Sequence, residues 1–228
     1  MAKKKITRKE LLKKEDEFIS LSNRAALYMS AHLKQIQYAI FSVMIIVIIV
    51  IGISLYFRHQ NKRALAAYNL AYKGLVSGSF SETAEDNIQR AAEELDKLIK
   101  KYGRTKMATL TIAQLAYLKF DQGKYDEAIS LYQAYLKRDK SDSIYCSMAH
   151  FGLAAAYEAK GDYQSAISHL KKMVDEEGNP LREEAMFSLG RVYALSGQLE
   201  MSRAVFRDFV SQFKDSPLLP LAKANLTK

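Results

Sequence analysis

His32, His59, His150 and His169 are the imidazoles of this chain, and Cys146 is its single thiol. Carboxylates cluster at Glu82 with Glu85, at Glu93 with Glu94, and at Asp175 with Glu176 and Glu177. Imidazoles and thiolates hold a metal when they recur at short helical or turn spacings, and neighbouring carboxylates share general acid and base work when their environments differ. The histidines show no ligand-like spacing with one another or with Cys146, and the acidic groups read as solvated helix faces. The sequence contains no P-loop, G-x-S-x-G elbow, H-E-x-x-H helix or glycine-rich phosphate cradle. An enzyme is therefore not expected, and neither is a metal or cofactor. A lone cysteine forms no internal disulfide and reads as packed core.

The strongest physical signal is the stretch Tyr38 to Phe57, twenty residues without a charge. At ~1.5 Å per residue such a helix is about 30 Å long, the thickness of a bilayer's hydrocarbon core. The uncharged run extends from Gln35 to Phe57 between Lys34 and Arg58, with Tyr38 and Phe41 at one end and Tyr56 and Phe57 at the other. Aromatic rings at both ends suit the headgroup region. A cleaved export signal would have a shorter apolar segment that starts earlier, followed by small residues. Here Ala64 and Ala66 are separated from the run by "RHQNKR". Residues 38–57 are predicted to be a transmembrane helix.

Residues 1–37 carry nine Lys or Arg against four Asp or Glu, +5 of the total +9, while Arg58, Lys62 and Arg63 follow the window. The more basic side stays in the cytoplasm, which predicts an N-terminus inside and residues 58–228 outside. The cations beside the membrane point to anionic lipid as their partner, and no nucleic-acid surface is expected. Within the basic segment Thr7 and Glu10 have capping-box spacing, and Leu11, Phe18, Ala25, Met29 and Leu33 share a stripe. That amphipathic helix can lie on the inner leaflet, pair with a copy of itself to make a homo-oligomer, dock a cytoplasmic partner, or remain unfolded.

Beyond the window the sequence repeats itself: "GKYDEAISLY" at Gly123, "GDYQSAISHL" at Gly161 and "GQLEMSRAVF" at Gly197, spaced by 38 and 36 residues. A glycine turn between apolar helical patterns at this period predicts stacked helix pairs, each burying a face against the next. The residues resemble the tetratricopeptide repeat (TPR). Leu115 and Ala116, Leu153 and Ala154, and Leu189 and Gly190 supply its large-then-small pair. Tyr125, Tyr163 and Leu199 follow the glycines, and Ala128, Ala166 and Ser202 take the crowded helix crossing. The closing proline is replaced by Lys140 in the first repeat and displaced to Pro180 in the second.

The expected fold is all-α: a single transmembrane helix followed by a TPR-like α-solenoid of stacked helical hairpins. Its parts are a cytoplasmic segment 1–37, a degenerate capping helix pair 58–104, three repeats 105–215 and a short helix 216–228 opened by Ser216 and Pro217.

The resemblance implies protein binding in a concave groove. Family register assigns to it Tyr117 and Phe120 from the first repeat, Met148 and Phe151 from the second, and Phe187 and Arg191 from the third. These side chains suit apolar segments, unless they fill space between helices; Arg191 alone cannot make the basic clamp that grips a C-terminal carboxylate. The layout also resembles single-pass periplasmic TPR proteins ancillary to the bacterial Sec translocon. That likeness implies an inner-membrane location, with translocon subunits, exported clients or periplasmic chaperones as partners. The alternative is a scaffold of another envelope machine, for secretion, pilus assembly or division, with one dedicated partner among that complex's subunits.

Overall fold

A computed structural model describes residue 23 and residues 27–77, 83–139, 141 and 144–226. The predicted amphipathic helix over residues 7–33 lies mostly outside the described residues. The chain divides into two units, Met1–Phe57 and Arg58–Lys228.

In the first unit, helix α1 (Leu33–Ser77) carries the apolar window, and its side chains from Tyr38 to Phe57 are exposed, with none buried. By length and composition this helix can cross a membrane. The Ser42 hydroxyl within the window is satisfied internally, since its Oγ donates to Tyr38 O at 2.8 Å. A helix satisfies its own backbone groups, as an apolar environment requires.

The second unit begins with the remainder of α1, whose residues Ala64, Tyr68, Ala71 and Leu75 share one face. Ala71 packs with Ala91, Ala92 and Leu95, and Ala64 with Leu98 and Ala108. Small residues allow close backbone approach, which is why this stretch packs although no repeat signature marks it. Asn61 Oδ1 accepts from Met107 N at 2.9 Å and so satisfies an orphan donor at the start of α3 (Lys106–Asp121). Between them α2 (Ala84–Tyr102) has Thr83 as N-cap, Glu85 and Asp86 in its first turn, and Lys100 and Lys101 in its last. That charge order matches the helix dipole.

Three hairpins follow: α3 with α4 (Tyr125–Arg138), α5 (Ile144–Ala159) with α6 (Tyr163–Asp175), and α7 (Arg182–Leu195) with α8 (Leu199–Gln212). Each turn is built alike. Gly123, Gly161 and Gly197 have φ of 71°, 78° and 78°, and the next residue's N–H returns to Lys119 O, Tyr157 O and Gln198's partner Tyr193 O, each at 2.9 Å. This is a Schellman closure, and a left-handed residue is the condition for it. Gly161→Ala, which places a Cβ on that backbone, is expected to lower stability by about 1–2 kcal/mol in urea unfolding of the full chain.

At the helix crossings Ala128 and Ala166 are fully buried, and Ser202 takes the same place in the third hairpin by donating its Oγ to Gly190 O at 2.7 Å. In the first hairpin Lys119, where the other two have Tyr157 and Tyr193, lies mostly covered and pairs with Glu127 at 2.8 Å. The connection between α6 and α7 is held by Asn179, whose side chain donates to Glu176 and accepts from Leu181 N at 2.9 Å.

The last helix, α9, spans Leu219–Leu226 and starts later than Ser216 and Pro217 suggest. Ser216 Oγ accepts from Leu218 N at 2.9 Å and donates to Glu183, so it forms a turn ahead of the helix and ties it to α7. Leu218 O receives the first helical bond, from Ala222 N. Ala222 then buries against Met186, Phe206 and Phe209.

Candidate partner-binding groove

Helices α3 and α5, the first members of two successive hairpins, leave between them a groove of about 790 Å³. From α3 come Met107, Leu110, Ala113, Gln114, Tyr117 and Phe120; from α5 come Ile144, Tyr145, Met148, Phe151, Gly152 and Ala155. Tyr68 of α1 and Leu181 ahead of α7 close two of its borders, and Tyr132 of α4 lies in its floor. Helical spacing explains the α3 set, because residues three or four apart share a face.

None of the described residues that line the groove is an acid or a base. Its polar atoms are the Gln114 amide and the phenols of Tyr68, Tyr117, Tyr132 and Tyr145. Burial pushes the Tyr132 hydroxyl up to about 12, with the Tyr117 phenol contributing, and burial followed by Tyr72 and Tyr145 raises Tyr68. Both shifts keep the Tyr132 and Tyr68 phenols neutral at physiological pH. Tyr117 and Met148 are each 54% exposed, so the groove presents large apolar side chains to whatever enters it.

Tyr132 reaches this floor through a gap left by Gly152: a Cβ there would lie 2.3 Å from Tyr132 Cζ. Phe120 packs on Tyr125 with ring centres 5.5 Å apart, which links the groove to the first residue of α4.

Of the six side chains that register assigns to a single groove, Tyr117, Phe120, Met148 and Phe151 line this one. Phe187 and Arg191 lie elsewhere. The Phe187 ring meets Phe206 and Phe209 edge-on at 5.6 and 5.9 Å and packs, half-buried, against the core of the last hairpin. Gly190 is the reason: it leaves room for Phe206 to come up beneath α7, and Phe187 packs on it. Arg191 donates to both carboxylate oxygens of Glu158, at 2.7 Å to Oε2, and is not free to grip a partner's carboxylate.

Sequence reading missed Tyr68, Tyr132 and Tyr145. Tyr68 belongs to a helix with no repeat signature, and Tyr132 occupies a position that register assigns to packing. Leu153-type large-then-small pairing hides the Gly152 that admits Tyr132; glycine inside a helix was the available signal.

The other candidate chemistry is dispersed. Glu82 lies outside the described residues. Glu93 accepts from Gln89, Glu94 pairs with Lys97 at 2.7 Å, and Glu176 holds Asn179. Cys146 is half-buried, with Sγ 3.7 Å from Asp139 O. His150 and His169 do meet, although they are 19 residues apart, and no third His, Cys, Asp or Glu joins them among the described residues.

A family model described as a tetratricopeptide repeat-like domain matches residues 33–227. No curated protein matches the chain in sequence. Among solved structures, a tetratricopeptide repeat protein from Parabacteroides merdae superposes with a TM-score of 0.59 at 18% identity, over 72% of this chain and 59% of that one. Repeats from a putative kinesin light chain of Podosopora anserina give 0.56 at 20% identity, over 73% of this chain and 84% of theirs. The MamA protein gives 0.52 at 17% identity, over 71% and 81%. At such identities the likeness speaks for the fold.

Proposed function

Because the chain belongs to the tetratricopeptide repeat-like family, we propose that it is a non-catalytic, membrane-anchored protein-binding module whose α3–α5 groove takes uncharged, apolar segments of partner proteins. The observation that carries this reading is the groove's lining: exposed Tyr117, Tyr145 and Met148 beside half-buried Phe120 and Phe151, with no acid or base among the described residues that line it. A charged segment entering it would lose hydration and find no countercharge, whereas an apolar one gains roughly 25 cal/mol per Å² of surface removed from water.

The anchor in this reading is residues 38–57 of α1, supported by their length and by the absence of any protein packing along them. The basic N-terminal segment stays in the cytoplasm and the repeats stand outside, at a bacterial inner membrane. Translocon subunits, exported clients or chaperones are the partners that this layout favours.

The test is crosslinking in living cells from photoreactive residues placed singly at Tyr117, Met148, Phe151 and Phe187. The first three are expected to capture partner chains, and Phe187, packed on Phe206 and Phe209, is expected to capture none. Many unrelated exported chains together with translocon subunits support client handling. One dominant envelope protein replaces it with the dedicated scaffold, and equal silence at all four positions refutes the groove.

A further inference from the structure

His150 of α5 and His169 of α6 face each other with their Nδ1 atoms 3.0 Å apart. The ring centres are 5.2 Å apart, close to the N···N separation plus the two ring radii, and the planes differ by 32°. The nitrogens therefore meet head-on, as donor and acceptor of one N–H···N bond. This arrangement does not converge on a third point where a metal would sit, and the Lys172 ammonium, whose field reaches both rings, opposes a cation there. Tyr157 of α5 stacks on His169 at 5.7 Å and 10°, and its hydroxyl accepts from Gln133 Nε2 of α4 at 3.1 Å. The bond thus sits in a polar seam that joins three successive helices.

Proton bookkeeping gives the seam a distinct behaviour. A neutral pair keeps one hydrogen between the two Nδ1 atoms, with the tautomers set accordingly. A first added proton goes to an Nε2 and leaves the bridge intact. A second places a hydrogen on each Nδ1, so the hydrogen bond is replaced by two cationic N–H groups that face each other. The titration belongs to the pair and has two steps.

We propose that the His150–His169 pair is an acid-labile latch between α5 and α6, closed until both imidazoles are charged. Opening it loosens α5, the helix that supplies Met148 and Phe151 to the groove, so acid would release a bound segment; this second half rests on the groove reading above.

The surroundings set the direction. Burial, then Lys172 and His169, lowers His150 from 6.5 to about 4, and burial followed by Lys172 lowers His169. The groups that face the pair are Lys172 from α6, the neutral Gln133 from α4 and the Tyr157 phenol from α5. The unfolded chain takes up its protons around 6.5 while the folded pair withholds them. Stability is therefore complete above that pH and is lost as pH falls toward about 4.

The test is hydrogen exchange of the full-length chain in detergent at pH 7 and about pH 4.5, corrected for the intrinsic pH dependence of exchange. Amides of α5 and α6 are expected to exchange at least about tenfold faster in acid, the equivalent of one pKa unit, while those of α7 and α8 change less. The paired substitution H150F/H169F keeps two aromatic rings that cannot charge, and is expected to abolish the acid response of α5 and α6. An unchanged response in that variant, or uniform acceleration along the solenoid, overturns the latch. If the variant does not fold, an NMR titration of the wild-type imidazoles decides, because both rings titrating at the ordinary histidine value also overturns it. Loosening in acid without capture from Phe151 at pH 7 upholds the latch and refutes the groove.

Discussion

Phe206→Ala is expected to destabilise the second unit by about 3–5 kcal/mol, the range for removing a buried aromatic ring. Phe206 is fully buried, with Phe187 edge-on to it and Gly190 directly above. A Cβ at residue 190 would lie 2.8 Å from Phe206 Cζ, so ring and glycine are matched and neither side can relax into the space of the other. A double-mutant cycle exposes the match. Gly190→Ala is expected to be destabilising in the wild-type chain, but stabilising by up to about 1 kcal/mol in the Phe206→Ala background, where only the helix preference for alanine remains. Urea unfolding of the full-length chain followed by circular dichroism measures both. In a stack of repeats each unit leans mainly on its neighbours, so hydrogen exchange should place the loss in α7–α9 and spare α3 and α4. A cost under about 1 kcal/mol for Phe206→Ala would contradict the packing described.

Gly152→Val is expected to damage stability and groove together. The Cβ alone would come within 2.3 Å of Tyr132 Cζ and 2.6 Å of its hydroxyl oxygen, and the two γ-carbons need more room still. The ring's base is held in the core between α3, α4 and α5, where Tyr132 is only 6% exposed, so its tip has one open direction, into the groove. Overpacking of this kind costs about 1–3 kcal/mol, and a displaced phenol occupies the volume a partner segment would take. Crosslinking from Phe151 should fall severalfold in Gly152→Val and recover when Tyr132→Ala is added. Loss of capture without recovery would mean that residue 152 acts through α5 itself and not through the Tyr132 ring.

These two positions also show why groove and core are hard to separate by register. Phe151 and Phe187 are assigned to equivalent sites in their repeats and both pack half-buried against a core, yet Phe151 also lines the α3–α5 groove and Phe187 does not. Three places later the repeats differ: Ala154 in the second shares a core with Leu170, whereas Gly190 in the third leaves room for the larger Phe206 on which Phe187 packs. The consequence for binding is that the groove ends at Leu181 and draws on two hairpins and the end of α1.

Features that depend on local chain geometry and on periodic burial are legible in the residues alone. A 20-residue uncharged window sets the length of an apolar helix, and Gly123, Gly161 and Gly197 set left-handed turns at the period of stacked hairpins. Ala128 and Ala166 mark the crossings because only a small side chain fits there. Each of these follows from interactions within a few residues or from a repeat that states its own register. Tertiary structure alone decided the rest. It brought Tyr68 from α1 beside Tyr145 of α5, turned Phe187 inward, tied Arg191 to Glu158, and set His150 against His169. Those contacts join residues whose separations carry no period, and they arise from how closely particular helix pairs approach. That distance is fixed by single small residues such as Ala71, Gly152 and Gly190, whose effect appears only when the opposing side chain is known.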